Sequence, residues 1–316
     1  MKIAVLGTIN HDTILSANGE KRTSLGGILY NVFTIAALAH EIEVYPVCWI
    51  GEEHHQEILN LLSPLQNVNT GGFRLNPAGT NENQLTYLSG EERSERLTSK
   101  VPPLSFEMIA PYLDTDLLLV NLISGFDLTL ETLRHLREKY QGILYLDVHS
   151  LTLGMDEKGV RFPQKVVNWR DWIQYCDFLQ VNKRETALLL SRELAKREDF
   201  DEVGFSLLDH GPSIVNITFG EEGTSVFFRK TGVKASISFS GEKRGVKDTT
   251  GCGDVYGGGF IASYLQKGDP VESAKFANRI AGLSTQFIGI EGLLELKNLT
   301  YYNSMTYHIL NTFPVL

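Results

Sequence analysis

The sequence predicts an α/β protein built on a doubly wound, mostly parallel sheet flanked by helices. Apolar runs of strand length alternate with helical runs, and the polar motifs follow the strands. The chain also opens on a short apolar run, residues 3–6, closed by Gly7, as expected of a central parallel strand buried on both faces. Such strands are joined by right-handed crossovers, and ligands bind beyond their carboxyl ends. With 316 residues and neither an internal repeat nor a flexible linker, the chain suffices for one large domain over 1–316.

In chain order, residues 9–15 and 21–25 are extended segments around Asn18-Gly19, a strong hairpin signal. A hairpin that interrupts the first strand-to-helix step cannot join the parallel sheet, so it projects as a flap. Gly26-Gly27 turns the chain back into an Ala-rich helix over 31–40, where Asn31 is also open to a plain role as helix N-cap. Residues 44–50 form a strand and 56–65 a helix. His54-His55 reads as a solvated pair, because adjacent side chains diverge and no third metal ligand stands near. Residues 80–98 form a second β-ribbon turning at Ser89-Gly90, with the charged run 91–96 as its wet face.

Strands at 117–123, 142–148 and 178–181 then alternate with helices at 128–140 and 169–175. Asn182-Lys183-Arg184-Glu185 opens a helix through Leu194 with the spacing of a capping box. Strands 214–219 and 224–228 flank Gly220-Glu221-Glu222-Gly223, by default a hairpin turn. Pro270 starts a helix through Gln286, and 296–310 looks like a closing helix.

The chemistry gathers in Asp248-Thr249-Thr250-Gly251-Cys252-Gly253-Asp254, between a β-rich run at 233–239 and a helical run at 255–266. A glycine-rich turn opening a helix offers bare N–H groups at the positive end of the helix dipole, which suits an anion. Asp254 stands in the first turn, where the dipole holds a carboxylate ionised and a bound anion raises its pKa. That is the setting of a base that takes a proton from an attacking hydroxyl during phosphoryl transfer. The plainer alternative is an Asp that only complements the dipole. A dinucleotide loop fits poorly, because Asp-Thr-Thr precedes the first glycine and Glu272 falls in a helical run. Gly257, Gly258 and Gly259 inside the helix cost roughly 0.5–1 kcal/mol each relative to Ala, which implies close approach of another element or a ligand.

This stretch resembles the C-terminal signature of the ribokinase-like (PfkB) family of carbohydrate and nucleoside kinases, Asp-Thr-x-Gly-Ala-Gly-Asp, with Cys252 in place of Ala. The resemblance runs through nearly the whole chain. It implies that the flap and ribbon, about 11–25 and 80–100, form a small β-sheet lid over the substrate. Asp12, Gly27 and Asn31 match the residues that grip sugar hydroxyls, and Asn81 and Asn83 could join them from the ribbon. The family often has Lys or Arg and a further Gly where this chain has Ile28-Leu29-Tyr30, which suggests a more apolar substrate wall.

Asn182 and Glu185 match the Asn-x-x-Glu that organises Mg²⁺, waters and nucleotide phosphates, Glu185 acting through water. Thr218, Gly220 and Gly223 match the Thr-x-Gly-x-x-Gly loop beneath the nucleotide, and Asn278 lies where the family approaches adenine. Asp248 with the loop at 287–292 is a candidate for a monovalent cation such as K⁺. By the same resemblance Asp254 is the base, and the N–H groups of Gly251, Cys252 and Gly253 stabilise the transferred phosphoryl.

The implied activity is ATP- and Mg²⁺-dependent phosphorylation of a sugar or nucleoside hydroxyl. The alternative is a catalytically silent sugar- or nucleotide-binding regulator of the same fold. Many family members carry Asp-Pro-Asn-x-Arg where this chain reads Asp147-Val148-His149-Ser150-Leu151, and the missing arginine argues against a phosphosugar acceptor. A net charge of −9 argues against nucleic acid or an anionic membrane as partner. The absence of a signal peptide, the lack of any membrane-length apolar run and three scattered cysteines point to the cytoplasm. The lid's exposed edges suit a homodimer.

Overall fold

A computed structural model describes residues 1–16, 19–89, 92–242 and 245–298. Strand β1 (Lys2–Leu6) runs into the pair β2 (Asn10–Leu15) and β3 (Lys21–Leu25), and helix α1 (Leu29–Leu38) follows. Next come β4 (Glu43–Ile50), α2 (Glu52–Leu62), a short β5 (Phe73–Leu75) and the ribbon β6 (Asn81–Ser89) and β7 (Glu92–Ser99). The short α3 (Phe106–Ile109) leads to β8 (Leu117–Asn121), α4 (Leu130–Lys139) and β9 (Ile143–Asp147). A small ribbon, β10 (Leu153–Met155) and β11 (Arg161–Pro163), and α5 (Trp169–Ile173) precede β12 (Phe178–Asn182). Then follow α6 (Lys183–Leu190), α7 (Arg197–Leu207), β13 (Ile214–Thr218), β14 (Thr224–Lys230) and β15 (Val233–Phe239). Helices α8 (Cys252–Lys267) and α9 (Pro270–Ser284) complete this series.

Among the described residues the main sheet has nine strands in the order β15-β14-β13-β12-β9-β8-β1-β4-β5. Every pairing from β5 to β13 is parallel, and the short connections to β14 and β15 make that edge antiparallel. The strand pleat sends Ile3 and Val5 to one apolar layer, shared with α1, α8 and α9, and Ala4 and Leu6 to the other. The doubly wound prediction therefore holds.

A second sheet, ordered β3-β2-β6-β7, unites the two predicted ribbons, with β2 and β6 parallel at its centre. Asn18, Gly90 and Glu91, at the two predicted turns, lie outside the described residues. So does the predicted closing helix beyond residue 298.

Local chemistry moved several boundaries. Helix α2 starts at Glu52 because Gly51 serves as N-cap and two acidic residues meet the helix dipole. Helix α6 ends early, with Ser191 left-handed at φ 52°, and α7 and the β10–β11 ribbon had no clear sequence pattern. Asn31 is no N-cap: Ile28 holds that position, and Asn31 is buried inside α1. His54 is no solvated side chain either, since it is hydrogen-bonded to Thr80 and stacked on His11 at 4.3 Å.

Candidate active site

The start of α8 carries the site. Gly251 is its N-cap at φ +73°, and a methyl group there would lie 2.3 Å from the Tyr30 ring. Backbone conformation and ring both demand glycine. Thr250 N–H donates to Asp248 Oδ1 at 2.9 Å, and Cys252 N–H to the Thr249 carbonyl at 3.3 Å, which shapes the loop. Inside the helix, a methyl on Gly258 would come within 2.9 Å of Thr34 and one on Gly259 within 3.3 Å of Ala277 Cα. The glycines therefore let α8 lie close against α1 and α9.

Asp254 is buried in the first helical turn. Its Oδ1 accepts from Asn121 Nδ2 at 2.7 Å, Asn121 Nδ2 also reaches Asn31 Oδ1 at 2.9 Å, and Asn31 Nδ2 donates to the Asp254 carbonyl at 2.9 Å. Three side chains from α1, β8 and α8 thus fix one another. Burial lifts the Asp254 carboxyl to about 7, against the downward pull of the Asn121 hydrogen bond. The expectation that the helix dipole keeps it ionised is corrected: desolvation outweighs the helix terminus.

Sequence reasoning missed a second group. Gln180 accepts from Tyr145 Oη at 2.6 Å and donates to Asp147 Oδ2 at 2.8 Å and to the Gly253 carbonyl at 2.9 Å, tying β9 and β12 to the anion loop. Burial, then the charges of Glu185 and Asp254, push Asp147 well above the usual carboxylate range. Burial raises Glu185 to about 8, opposed by the Asn182 N–H and reinforced by Asp254. Three carboxylates that repel one another at the carboxyl edge of the sheet make a setting that a cation relieves, so this donor set fits Mg²⁺. Among the described residues no three His, Cys, Asp or Glu side chains form a closed metal cage, and Mg²⁺ commonly keeps several waters.

Asn182 and Glu185 form the capping box: Glu185 N–H donates to Asn182 Oδ1 and Asn182 N–H to Glu185 Oε2, each at 2.8 Å. Thr218 sits beside Asn182 in the β12–β13 register. Gly220 opens the turn after β13, and Gly223, at φ +98°, lies against the Phe239 carbonyl, so close packing explains that glycine. Asn278 donates to the Ser240 carbonyl at 2.9 Å. Asp248 Oδ2 meets Gly289 N–H at 3.4 Å, which brings the two predicted cation-loop segments together. In the same two segments Val246 and Ile288 are 62% and 65% exposed, large apolar side chains that the sequence reading passed over.

On the other flank Asp12 and Asn83 are neighbours in the β2–β6 register and both are buried. Asn81 instead bonds Asn10 and Val101 and acts structurally. Gly27 backs onto Thr8, whose carbonyl accepts from Ile28 N–H at 3.1 Å. Burial raises the Tyr30 phenol, and the charges of Asp248, Asp254 and Asp12 add to the shift. Tyr30 thus stands between the predicted substrate contacts and the anion loop.

Residues 160–294 match the pfkB family carbohydrate kinases. That stretch takes in Asn182, Glu185 and the loop from Asp248 to Asp254. A cytidine kinase of Thermococcus kodakarensis is 25% identical over 274 residues, 86% of this chain and 91% of that relative. A pyrophosphate-dependent kinase of the ribokinase family, solved with sulfate, superposes with TM-score 0.78 at 18% identity, over 93% of this chain and 99% of that one. Arabidopsis thaliana ribokinase, solved with ribose and ATP, gives TM-score 0.72 at 18% identity, over 93% and 98%. No helix among the described residues is long and apolar enough to cross a membrane.

Proposed function

We propose that this protein is a pfkB-family kinase that transfers the terminal phosphoryl group of ATP to a hydroxyl of a sugar or nucleoside, with Asp254 as general base. The observation that carries the reading is the buried Asp254 carboxyl, tuned to about 7 and fixed by Asn121 at the mouth of a glycine-rich helix start. A base near the working pH takes a proton most effectively. Asp12, Gly27 and Asn31 flank the acceptor in this reading, and the β3-β2-β6-β7 sheet is the lid that excludes water over it. The N–H groups of Gly251, Cys252 and Gly253 face charge developing on the transferred group, that of Cys252 in exchange for its 3.3 Å bond to the Thr249 carbonyl.

Asn182, Thr218, Gly220, Gly223 and Asn278 border the nucleotide, with Val246 and Ile288 as an apolar rest for its base. Mg²⁺, when bound, would neutralise phosphate charge; Glu185 would hold it through water, with Asp147 beside it. Asp248 and the loop around Gly289 would hold the monovalent cation.

The test is product formation from Mg-ATP, and from pyrophosphate as a second donor, against sugars and nucleosides, with Asp254→Asn alongside. An acceptor-dependent rate that Asp254→Asn abolishes supports the reading. Nucleotide binding without turnover of any acceptor points to a silent binding protein.

A further inference from the structure

Arg161 sits on β11, where the small ribbon meets the loops that follow β8 and β9. It is only 9% exposed. Its Nη2 donates to the Ser124 carbonyl at 2.8 Å and reaches the Ser150 carbonyl at 3.5 Å. Nε and Nη1 are buried and have no hydrogen-bond partner among the described residues. Buried guanidinium donors left unmade are unfavourable, so their persistence calls for an explanation.

The charges of Glu95 and Asp127 act on this cation, Glu95 the more strongly, but neither carboxylate is hydrogen-bonded to it among the described residues. Asp127, whose charge acts on it, spends its oxygens on Thr8 Oγ1, on the N–H and hydroxyl of Ser124 and on Gly125 N–H. A second cation shares an aromatic ring with it: Arg161 Cζ and Lys100 Nζ lie 5.2 and 4.4 Å from the centroid of the Phe126 ring. Lys100 also borders a cavity of about 300 Å³ between the end of β7 and the turn at 155–159.

The position is at the active edge of the sheet. Ser124 and Ser150 follow strands whose last residues, Asn121 and Asp147, belong to the network around Asp254. Asp127 links this corner to Thr8, which backs Gly27 on the acceptor side.

We propose that Arg161, with Lys100 on the same Phe126 ring, forms a subsite for an oxyanion on the acceptor, a carboxylate or a phosphate ester distant from the hydroxyl that is phosphorylated. This rests on the kinase reading above and narrows its substrate class. The oxyanion takes the donors on Nε and Nη1, a charge-assisted contact that arginine makes with either group. Entry follows the lid: β7 is latched to the ribbon by Arg96 Nε to the Lys158 carbonyl at 2.8 Å and Leu97 N–H to the Gly159 carbonyl at 2.9 Å, so lifting β7 opens this corner.

The test compares matched acceptors with Mg-ATP: D-ribose against D-ribonate and D-ribose 5-phosphate, and cytidine against CMP, in wild type, Arg161→Met and Arg161→Lys. An anionic member should have the higher kcat/KM. Arg161→Met should cut the anionic-to-neutral ratio on the order of 10- to 100-fold, and Arg161→Lys should retain part of it. Ribonate against ribose 5-phosphate separates the carboxylate from the phosphate source. Neutral acceptors that equal their anionic partners, or a ratio that Arg161→Met leaves unmoved, overturn the subsite and leave the kinase reading standing.

Absence of turnover with every acceptor sinks the kinase reading instead. The subsite is then read from melting curves. A Tm rise with ribonate or ribose 5-phosphate in wild type that is lost in Arg161→Met supports it, and equal responses overturn it. If Arg161→Met does not fold, the same comparison is made with Arg161→Lys.

Discussion

The start of α8 and the corner beside the β3-β2-β6-β7 sheet are built differently. Around α8 most polar groups hold one another: Asp254, Asn121 and Asn31 are joined by bonds of 2.7–2.9 Å, and Gln180 ties Asp147 to the Gly253 carbonyl at 2.8 and 2.9 Å. Asn121 Oδ1 is left without a partner among the described residues. At the small sheet and the ribbon packed on it, Asn83 Oδ1 and two nitrogens of Arg161 are buried without a partner among the described residues. A preorganised half suits chemistry that is the same for every substrate, because nothing need move when charge develops. A half with open donors and acceptors suits recognition, because a ligand completes it.

The largest effect should come from breaking the preorganised half at its centre. Asp254→Asn keeps the shape and removes the base, so kcat should fall by roughly 10²–10⁴ while the ATP dissociation constant stays within about twofold. Steady-state rates and nucleotide titration check this, and equal losses in both would remove Asp254 from the role of base. Asn121→Ala acts one step away, leaving Asp254 Oδ1 without its donor. Because that bond lowers the Asp254 pKa, its loss raises it. The acid limb of the kcat/KM profile should move above pH 7, with a rate loss of about tenfold at neutral pH, the size of one charge-assisted bond.

The same burial has a sign for stability. The folded Asp254 pKa of about 7 lies above its ordinary 3.8, so the stability that the protonated form contributes is present below pH 4 and is lost as pH rises through 7. Asp254→Asn should therefore melt above wild type at pH 8 and converge with it near pH 4. A gap that does not change with pH would mean the carboxyl is not desolvated as described. Gly258→Ala tests packing alone: its methyl would press on Thr34, and thermal unfolding should show a cost of roughly 1–3 kcal/mol.

Legibility followed the same division. The glycine-rich loop, Asp254, the Asn182–Glu185 pair and the two ribbons were readable because each is a local pattern along the chain. Asn121, Gln180 and Asp147 were not, because they end or lie within apolar strands and gain their roles only when β8, β9 and β12 align beside α8. Arg161 escaped for a similar reason. The sequence reading looked for a guanidinium at 151, and the fold supplies one from β11 at the same edge. The dipole argument for Asp254 failed because burial, a property of the whole fold, sets its proton affinity.

The smallest predicted effect addresses a residue with two readings. Asn182 caps α6 through Glu185 N–H, and its own N–H fixes Glu185 Oε2. Asn182→Ala removes the side-chain cap and keeps the backbone bond, so the helix should lose about 1 kcal/mol. If Asn182 is only a cap, the loss appears in denaturant unfolding and the Mg²⁺ concentration for half-maximal rate stays put. If it also orients Glu185 toward a metal-bound water, that concentration rises several-fold at unchanged kcat, because Asn182 Nδ2 no longer donates to Glu185 Oε1. The second outcome is expected: Glu185 sits on the edge where Asp147 and Asp254 already crowd negative charge, and a carboxylate raised to about 8 stays ionised at neutral pH only with a cation beside it.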